Sequence, residues 1–212
     1  MEELPSMEFH QKRHHPHPFP ELKSLLTNQR QMFQQKVIVN LDLKSEKFIA
    51  LSVDCNGAYV YLDPYEGGKA AVAEACRNLA CSGAKPLGVT DNLNFANPHK
   101  PDLFWQFKES VRGLADACRA FNAPVTGGNC SLYNQSPAGP IDPTPTVAVV
   151  GLIEKPEHIT TQWFKDDGDA IILLGEPVDT TDPLQGLGGS AYLQVIHGQK
   201  NGLPPRCELE TA

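Results

Sequence analysis

The stretch Pro124-Val125-Thr126-Gly127-Gly128-Asn129-Cys130-Ser131-Leu132-Tyr133-Asn134 constrains this chain more than any other. Two adjacent glycines without Cβ atoms allow a ligand close to the backbone, and the Asn and Ser that follow set an amide and a hydroxyl beside the exposed N–H groups. That combination suits an oxyanion or a metal-bound phosphate. A plain glycine turn between a helix and a strand fits the same residues, so the surroundings have to decide.

Upstream, Phe104, Phe107, Val111, Leu114, Cys118 and Phe121 step by three or four residues, which predicts a helix with those side chains in the core and Asp102 as its N-cap. Downstream, after a Pro-rich loop over Ser136 to Pro145, Thr146 to Ile153 is a nearly continuous apolar run, read as a strand buried on both faces. Pro86 to Thr90 reads as a brief strand delivering Asp91-Asn92-Leu93-Asn94-Phe95-Ala96-Asn97-Pro98, one carboxylate and three amides. Such a loop suits hydrated Mg²⁺ and nucleotide oxygens, and equally a polar capping turn.

Val37, Val39, Leu41 and Leu43 alternate strictly, and Phe48 to Val53 gives a second β-rich run ending at Asp54-Cys55-Asn56-Gly57. A carboxylate at a strand end is a common ligand position, although an Asx turn explains Asp54 and Asn56 as well. Tyr59 to Leu62 reads as a further short strand and Lys69 to Ser82 as an Ala-faced helix. Gly67-Gly68-Lys69 lacks the spacing of a phosphate-binding P-loop, and Gly186 to Ala191 matches a dinucleotide fingerprint only formally. Three strand ends, at Asp54, Asp91 and Gly127, are expected to converge on one edge.

Domain organisation follows from composition shifts. Residues 1–36 form a polar His/Pro-rich tail, whose His10, His14, His15 and His17 lack the rigid shell of a metal site. Residues 37–154 form the main domain and 155–168 a linker. Residues 169–212, opening on an expected buried strand Ala170 to Leu174, are too few to close a core alone.

A formal charge of −7 and a pI near 5.5 leave no basic face for nucleic acid. No apolar run approaches the ~20 residues that span a bilayer and no signal-peptide core is present, so a cytoplasmic protein without membrane contact is expected. The six cysteines form no C-x-x-C pair and read as reduced and mostly structural.

Asp54 to Gly57, Tyr59 to Lys69, Val89 to Phe95 and Gly127 to Asn134 together resemble the phosphoribosylformylglycinamidine synthase family, PurL subunit, over about Phe48 to Glu210. The resemblance implies an α+β fold: an aminoimidazole ribonucleotide (AIR) synthetase-like N-terminal domain from the second half of such a synthase, a mixed sheet covered by helices and forming half of a dimer-type barrel. The truncated start of the AIR synthetase-like C-terminal domain would follow. It implies ATP-dependent activation of formylglycinamide ribonucleotide as an iminophosphate, displaced by ammonia from a glutaminase subunit to give formylglycinamidine ribonucleotide in purine biosynthesis. ATP and Mg²⁺ are the implied cofactors. Asp91 and Gly128 look like nucleotide contacts, Asn129 like a Mg²⁺ ligand and Ser131 like a contact to the phosphorylated substrate. Asp54 is a further candidate for the same metal from its place at a strand end.

The departures matter too. The family's first half, carrying its catalytic histidine and ATP-reaching lysine, has no counterpart here, so no general acid or base is assigned and the chain is expected to be inactive without that half. Ala96 and Cys130 stand where the family resemblance suggests Gly and Val. A non-catalytic nucleotide-binding or barrel-forming module is the alternative, with another enzyme of the superfamily, such as a small-molecule kinase, a remote third. Because a half-barrel leaves an apolar sheet face uncovered, self-association or pairing with a homologous domain is expected.

Overall fold

The computed structural model describes residues 36–40, 46–175 and 186–212. The histidines of the polar tail, and Leu41 and Leu43 of the first alternating run, lie outside those residues. Seven strands are described: β1 (Lys36–Asn40), β2 (Phe48–Asp54), β3 (Lys85–Asn94), β4 (Val125–Ser131), β5 (Gln135–Ser136), β6 (Gly139–Pro140) and β7 (Thr144–Ile153). The α-helices are α1 (Gly57–Leu62), α2 (Pro64–Ala80), α3 (Pro101–Ala120) and α4 (Ala191–His197).

Five strands form a mixed sheet in the order β1-β2-β7-β3-β4, and β5 with β6 makes a separate hairpin. Only β3 and β4 pair in parallel; α3 makes the crossover between them. The alternation of side chains then gives the sheet two different faces. Phe48, Ala50 and Ser52 of β2 and Val147, Val149 and Ile153 of β7 are buried beneath α2, where Leu79 closes on Gly151. The opposite face carries Ile49, Leu51, Val53, Ala148, Val150 and Leu152, all half-buried. The expected burial of β7 on both faces is therefore corrected: its apolar residues occupy both sides, but α2 and α3 cover one.

Tyr59 to Leu62 is helical rather than extended. The Asn56 side chain accepts the N–H groups of Ala58 and Tyr59 at 3.1 and 3.2 Å, and Asp63 closes the turn, so caps at both ends override the strand preference of Tyr-Val-Tyr. Asp63 also caps α2, accepting the Glu66 N–H at 3.0 Å with Pro64 at the first helical position. That start lies five residues earlier than the alanine pattern alone indicates, and it encloses Gly67 and Gly68 in the helix. Their use is close packing: a Cβ on Gly68 would overlap the Ser110 carbonyl oxygen of α3, and one on Gly113 would overlap the Tyr65 carbonyl oxygen of α2.

Helix α3 begins at Pro101 with Lys100 as its N-cap, so Asp102 lies in the first turn, where its charge complements the helix dipole, instead of capping. Leu114 and Cys118 are buried as expected. Phe107, Val111 and Phe121 are half-buried against the core, and Phe104 is 49% exposed.

Beyond β7, Ala170 to Leu174 is neither strand nor buried; Ile171 to Leu174 are exposed, with no partner strand for them among the described residues. The final segment runs back over the earlier elements. Lys69 Nζ donates to the Cys207 carbonyl at 2.9 Å, the Cys207 N–H donates to Glu66 Oε2 at 3.0 Å, and Lys200 pairs with Asp142 at 2.6 Å over the ring of Tyr61.

Candidate functional site at the edge of the sheet

β2, β3 and β4 run in the same direction, since β2 and β3 are each antiparallel to β7 and β4 is parallel to β3. Their carboxyl ends, Asp54, Asn94 and Ser131, therefore approach one margin of the sheet. Two findings change the picture expected from sequence. β3 continues through Asp91 to Asn94, and the glycine pair lies inside β4 instead of forming a turn. Residues read as loops are thus strand residues, and neighbours in sequence point to opposite faces.

Asp54, Val147, Asp91 and Gly128 form one row across four strands, on the side facing the helices. Asp91 and Gly128 touch: a Cβ on Gly128 would overlap Asp91 Oδ1 and lie 2.5 Å from the Asp91 carbonyl oxygen. The glycine is thus required for this carboxylate to lie against the edge strand. Burial raises the Asp91 carboxyl above its ordinary value of 3.8. Asp54 is two strands away, about 10 Å at ordinary strand spacing, beyond the buried Val147. Its oxygens accept the Ser52 hydroxyl at 2.7 Å and the Asn78 amide at 3.2 Å. Burial and then Asp54 raise the neighbouring Glu74.

Asn129 and Ser131 belong to the other face, in register with Asn92 and Asn94. The structure therefore joins Asp91 to Gly128 and Asn129 to Asn92, and brings Asn129 and Ser131 to one side. It separates Asp91 from Asn129 by the thickness of an edge strand, and it does not bring Asp54 to Asn129. The Asn129 Nδ2 donates to Asn92 Oδ1 at 3.2 Å, and Asn94 Nδ2 donates to the carbonyls of Asn92 and Thr144 at 2.9 and 3.3 Å. With their NH₂ groups so engaged, the amide oxygens of Asn129 and Asn94 are left as acceptors for an outside group. β4 is exposed along almost its whole length, so both faces open to solvent around it.

Among the described residues no group of three or more His, Cys, Asp or Glu side chains gathers to hold a metal. The amide oxygen of Asn129, supplemented by ligand phosphate oxygens and water, fits Mg²⁺, which keeps several waters and takes few protein ligands; it does not fit zinc. Sequence reasoning named Asn92 and Asn94 only as part of a polar loop and gave Asn134 no role. Had Asp91 to Asn94 been read as strand, period-two alternation would have assigned the carboxylate and the two amides to opposite faces.

The fold and site define a class: an α+β domain whose mixed sheet is layered by helices on one face and presents small, polar strand residues at one edge. The chain matches the family described as AIR synthase related protein, N-terminal domain, over residues 34–153, and it belongs to that family. It is 56% identical over 171 residues to the phosphoribosylformylglycinamidine synthase subunit PurL of Thermosynechococcus vestitus, covering 77% of this chain and 22% of that protein. It is 50% identical over 175 residues to the PurL of Anaeromyxobacter sp. strain K, with 82% and 22% covered. Among solved structures, Thermotoga maritima PurL complexed with ATP superposes with a TM-score of 0.52 at 28% identity, covering 57% of this chain and 20% of that one. The same protein complexed with FGAR gives 0.53 at 27%, covering 60% and 20%. The chain thus spans about a fifth of the length of these relatives.

Proposed function

We propose that this chain supplies the edge of a phosphoribosylformylglycinamidine synthase site that holds Mg-ATP and formylglycinamide ribonucleotide. The contact of Gly128 with Asp91, beside Asn129 and Ser131 on the same exposed strand, carries the reading. Asp91 and the Gly128 backbone take the nucleotide, Asn129 lends its amide oxygen to Mg²⁺, and Ser131 meets the phosphorylated substrate. Asp54, engaged by Asn78 and Ser52 and two strands from Asp91, stays outside this set. When bound, Mg²⁺ neutralises phosphate charge in transit. This chain's part is to fix positions in a reaction whose catalysis is mostly positioning and electrostatics.

Ammonia comes from a glutaminase partner, and the acid–base and lysine groups from the other half of the synthase or from a homologous domain, in the cytoplasm. Residues 37–154 act as the N-terminal AIR synthetase-like domain, 155–168 as its linker and 169–212 as the start of the next. A PurLQS assembly of Thermotoga maritima is among the similar structures, at a TM-score of 0.51 and 27% identity. No described helix is long and apolar enough to cross a membrane.

A second reading, a nucleotide-binding or barrel-forming module without turnover, is favoured by one observation: Asp91 of β3 and Asn129 of β4 lie on opposite faces of the sheet. Cys130, exposed within β4, and Cys81, exposed at the end of α2, separate site binding from general protection. Mg-ATP should slow alkylation of Cys130 several-fold and leave Cys81 unchanged. Cys55, pushed up to about 12 by burial, and Cys76, pushed to about 11, should stay unlabelled at pH 8. Equal labelling of Cys130 with and without Mg-ATP would remove the nucleotide from this edge. Protection without product when the other half is supplied would select the second reading.

A further inference from the structure

Tyr133 has a left-handed backbone, with φ of 63°, an uncommon conformation for a bulky residue. It folds the chain after β4 back on the end of β3, where the Tyr133 N–H donates to the Ala96 carbonyl at 3.2 Å and the Asn134 N–H to the Phe95 carbonyl at 3.1 Å. This return brings the half-buried Asn134 side chain beneath Ser131. Its Nδ2 lies 3.0 Å from the Phe95 carbonyl, 2.9 Å from the Ser131 carbonyl and 3.1 Å from Ser131 Oγ.

Asn134 Nδ2 has two hydrogens for these three acceptors, so the Ser131 oxygen, the farthest of them, accepts an N–H that it shares with a backbone carbonyl. Its own proton has a contact with Asn134 Oδ1 at 3.3 Å, longer than the ~2.7–2.8 Å at which hydroxyl donors cluster. A stronger acceptor arriving from outside displaces that contact at little cost, while the Asn134 N–H keeps the oxygen in place. We propose that Asn134 is a positioning residue that makes Ser131 an outward hydrogen-bond donor to an oxygen of the phosphorylated ribosyl-amide substrate. The inference rests on the substrate reading of Ser131 given above.

A double-mutant cycle on the chain, with formylglycinamide ribonucleotide as the probe in equilibrium dialysis, tests it. Ser131→Ala should weaken binding about tenfold, the scale of one hydrogen bond to a charged or polarised oxygen. Asn134→Asp removes the N–H donors and makes residue 134 an acceptor that turns the Ser131 proton inward, so it should weaken binding to a similar extent. The double variant should bind no worse than Ser131→Ala, even though Asn134→Asp lowers the melting temperature in both backgrounds. Additive losses, or unchanged binding in Asn134→Asp, would overturn the positioning role and leave Ser131 as a contact. Unchanged binding in Ser131→Ala, or no saturable binding by the parent chain, would instead remove the substrate reading and this inference with it. Should Asn134→Asp fail to fold, Asn134→Ala, which removes the N–H donor to Ser131 Oγ without adding an acceptor, carries the same cycle, with a smaller loss of binding that is again absent in the Ser131→Ala background.

Discussion

Asp91 shows how one residue can weaken the fold while marking a site. Its carboxylate is held by the absence of a Cβ on Gly128, and burial is the cause of its raised pKa. The folded chain consequently binds this proton more tightly than the unfolded chain. The associated stability is fully present below the ordinary value of 3.8 and is lost as pH rises through the raised native value. Asp91→Asn is neutral throughout. It should melt higher than the parent at pH 7, and the gap should narrow as pH falls through the raised value, closing below about 3.8, in thermal scans from pH 3 to 8. A gap that widens on acidification would mean that Asp91 is stabilised as a carboxylate. The same variant should lose nucleotide binding, the usual trade of stability against function.

At the scale of elements, legibility followed the physics of each pattern. α3 was plain because its apolar residues keep a helical period over five turns, and β7 because an apolar run of that length has few other uses. Tyr59 to Leu62 reads locally as strand and folds as helix, because intrinsic strand preference is weak beside a cap at each end, Asn56 and Asp63. The glycine pair Gly127-Gly128 reads locally as a turn; only its pairing with β3, a contact across 37 residues, makes it a strand. In the same way nothing local shows that Gly67, Gly68 and Gly113 belong inside helices. Gly68 and Gly113 let the backbones of α2 and α3 approach each other, while Gly67 lies against the backbone of Tyr59 and Val60 in α1. Gly113→Ala therefore separates two effects: alanine favours the helix by about 1 kcal/mol, whereas overlap with the Tyr65 carbonyl costs about 1–3 kcal/mol because backbone is the neighbour. Overlap should win, and urea denaturation should show a net loss. A stabilised Gly113→Ala would show that α2 and α3 move apart freely.

For the whole molecule, the unequal faces of the sheet matter most. α2 and α3 cover one face. The other has a polar end, with Asn92, Asn94, Asn129, Thr144 and Thr146, and an apolar end, with Ile49, Leu51, Val53, Val150 and Leu152. The strand count and lengths give that face about 24 by 23 Å, on the order of 550 Å² in projection, comparable with the ~800 Å² of accessible surface each partner contributes to a standard interface. The partner expected there is a second sheet of the same kind, whose pleat and twist would match and whose polar end would meet the site margin from across the joint. Sedimentation equilibrium at micromolar concentration should show the parent chain associating with itself. Val150→Asp, at the centre of the open face, and Ile49→Lys, on β2 beside it, should both shift it to monomer, whereas Arg119→Ser on the exposed side of α3 should not. A monomeric parent would leave the apolar end to another partner. Association that survives both charged variants would place the contact away from this face, with the exposed run Ile171 to Leu174, which no described strand pairs with, the next surface to test.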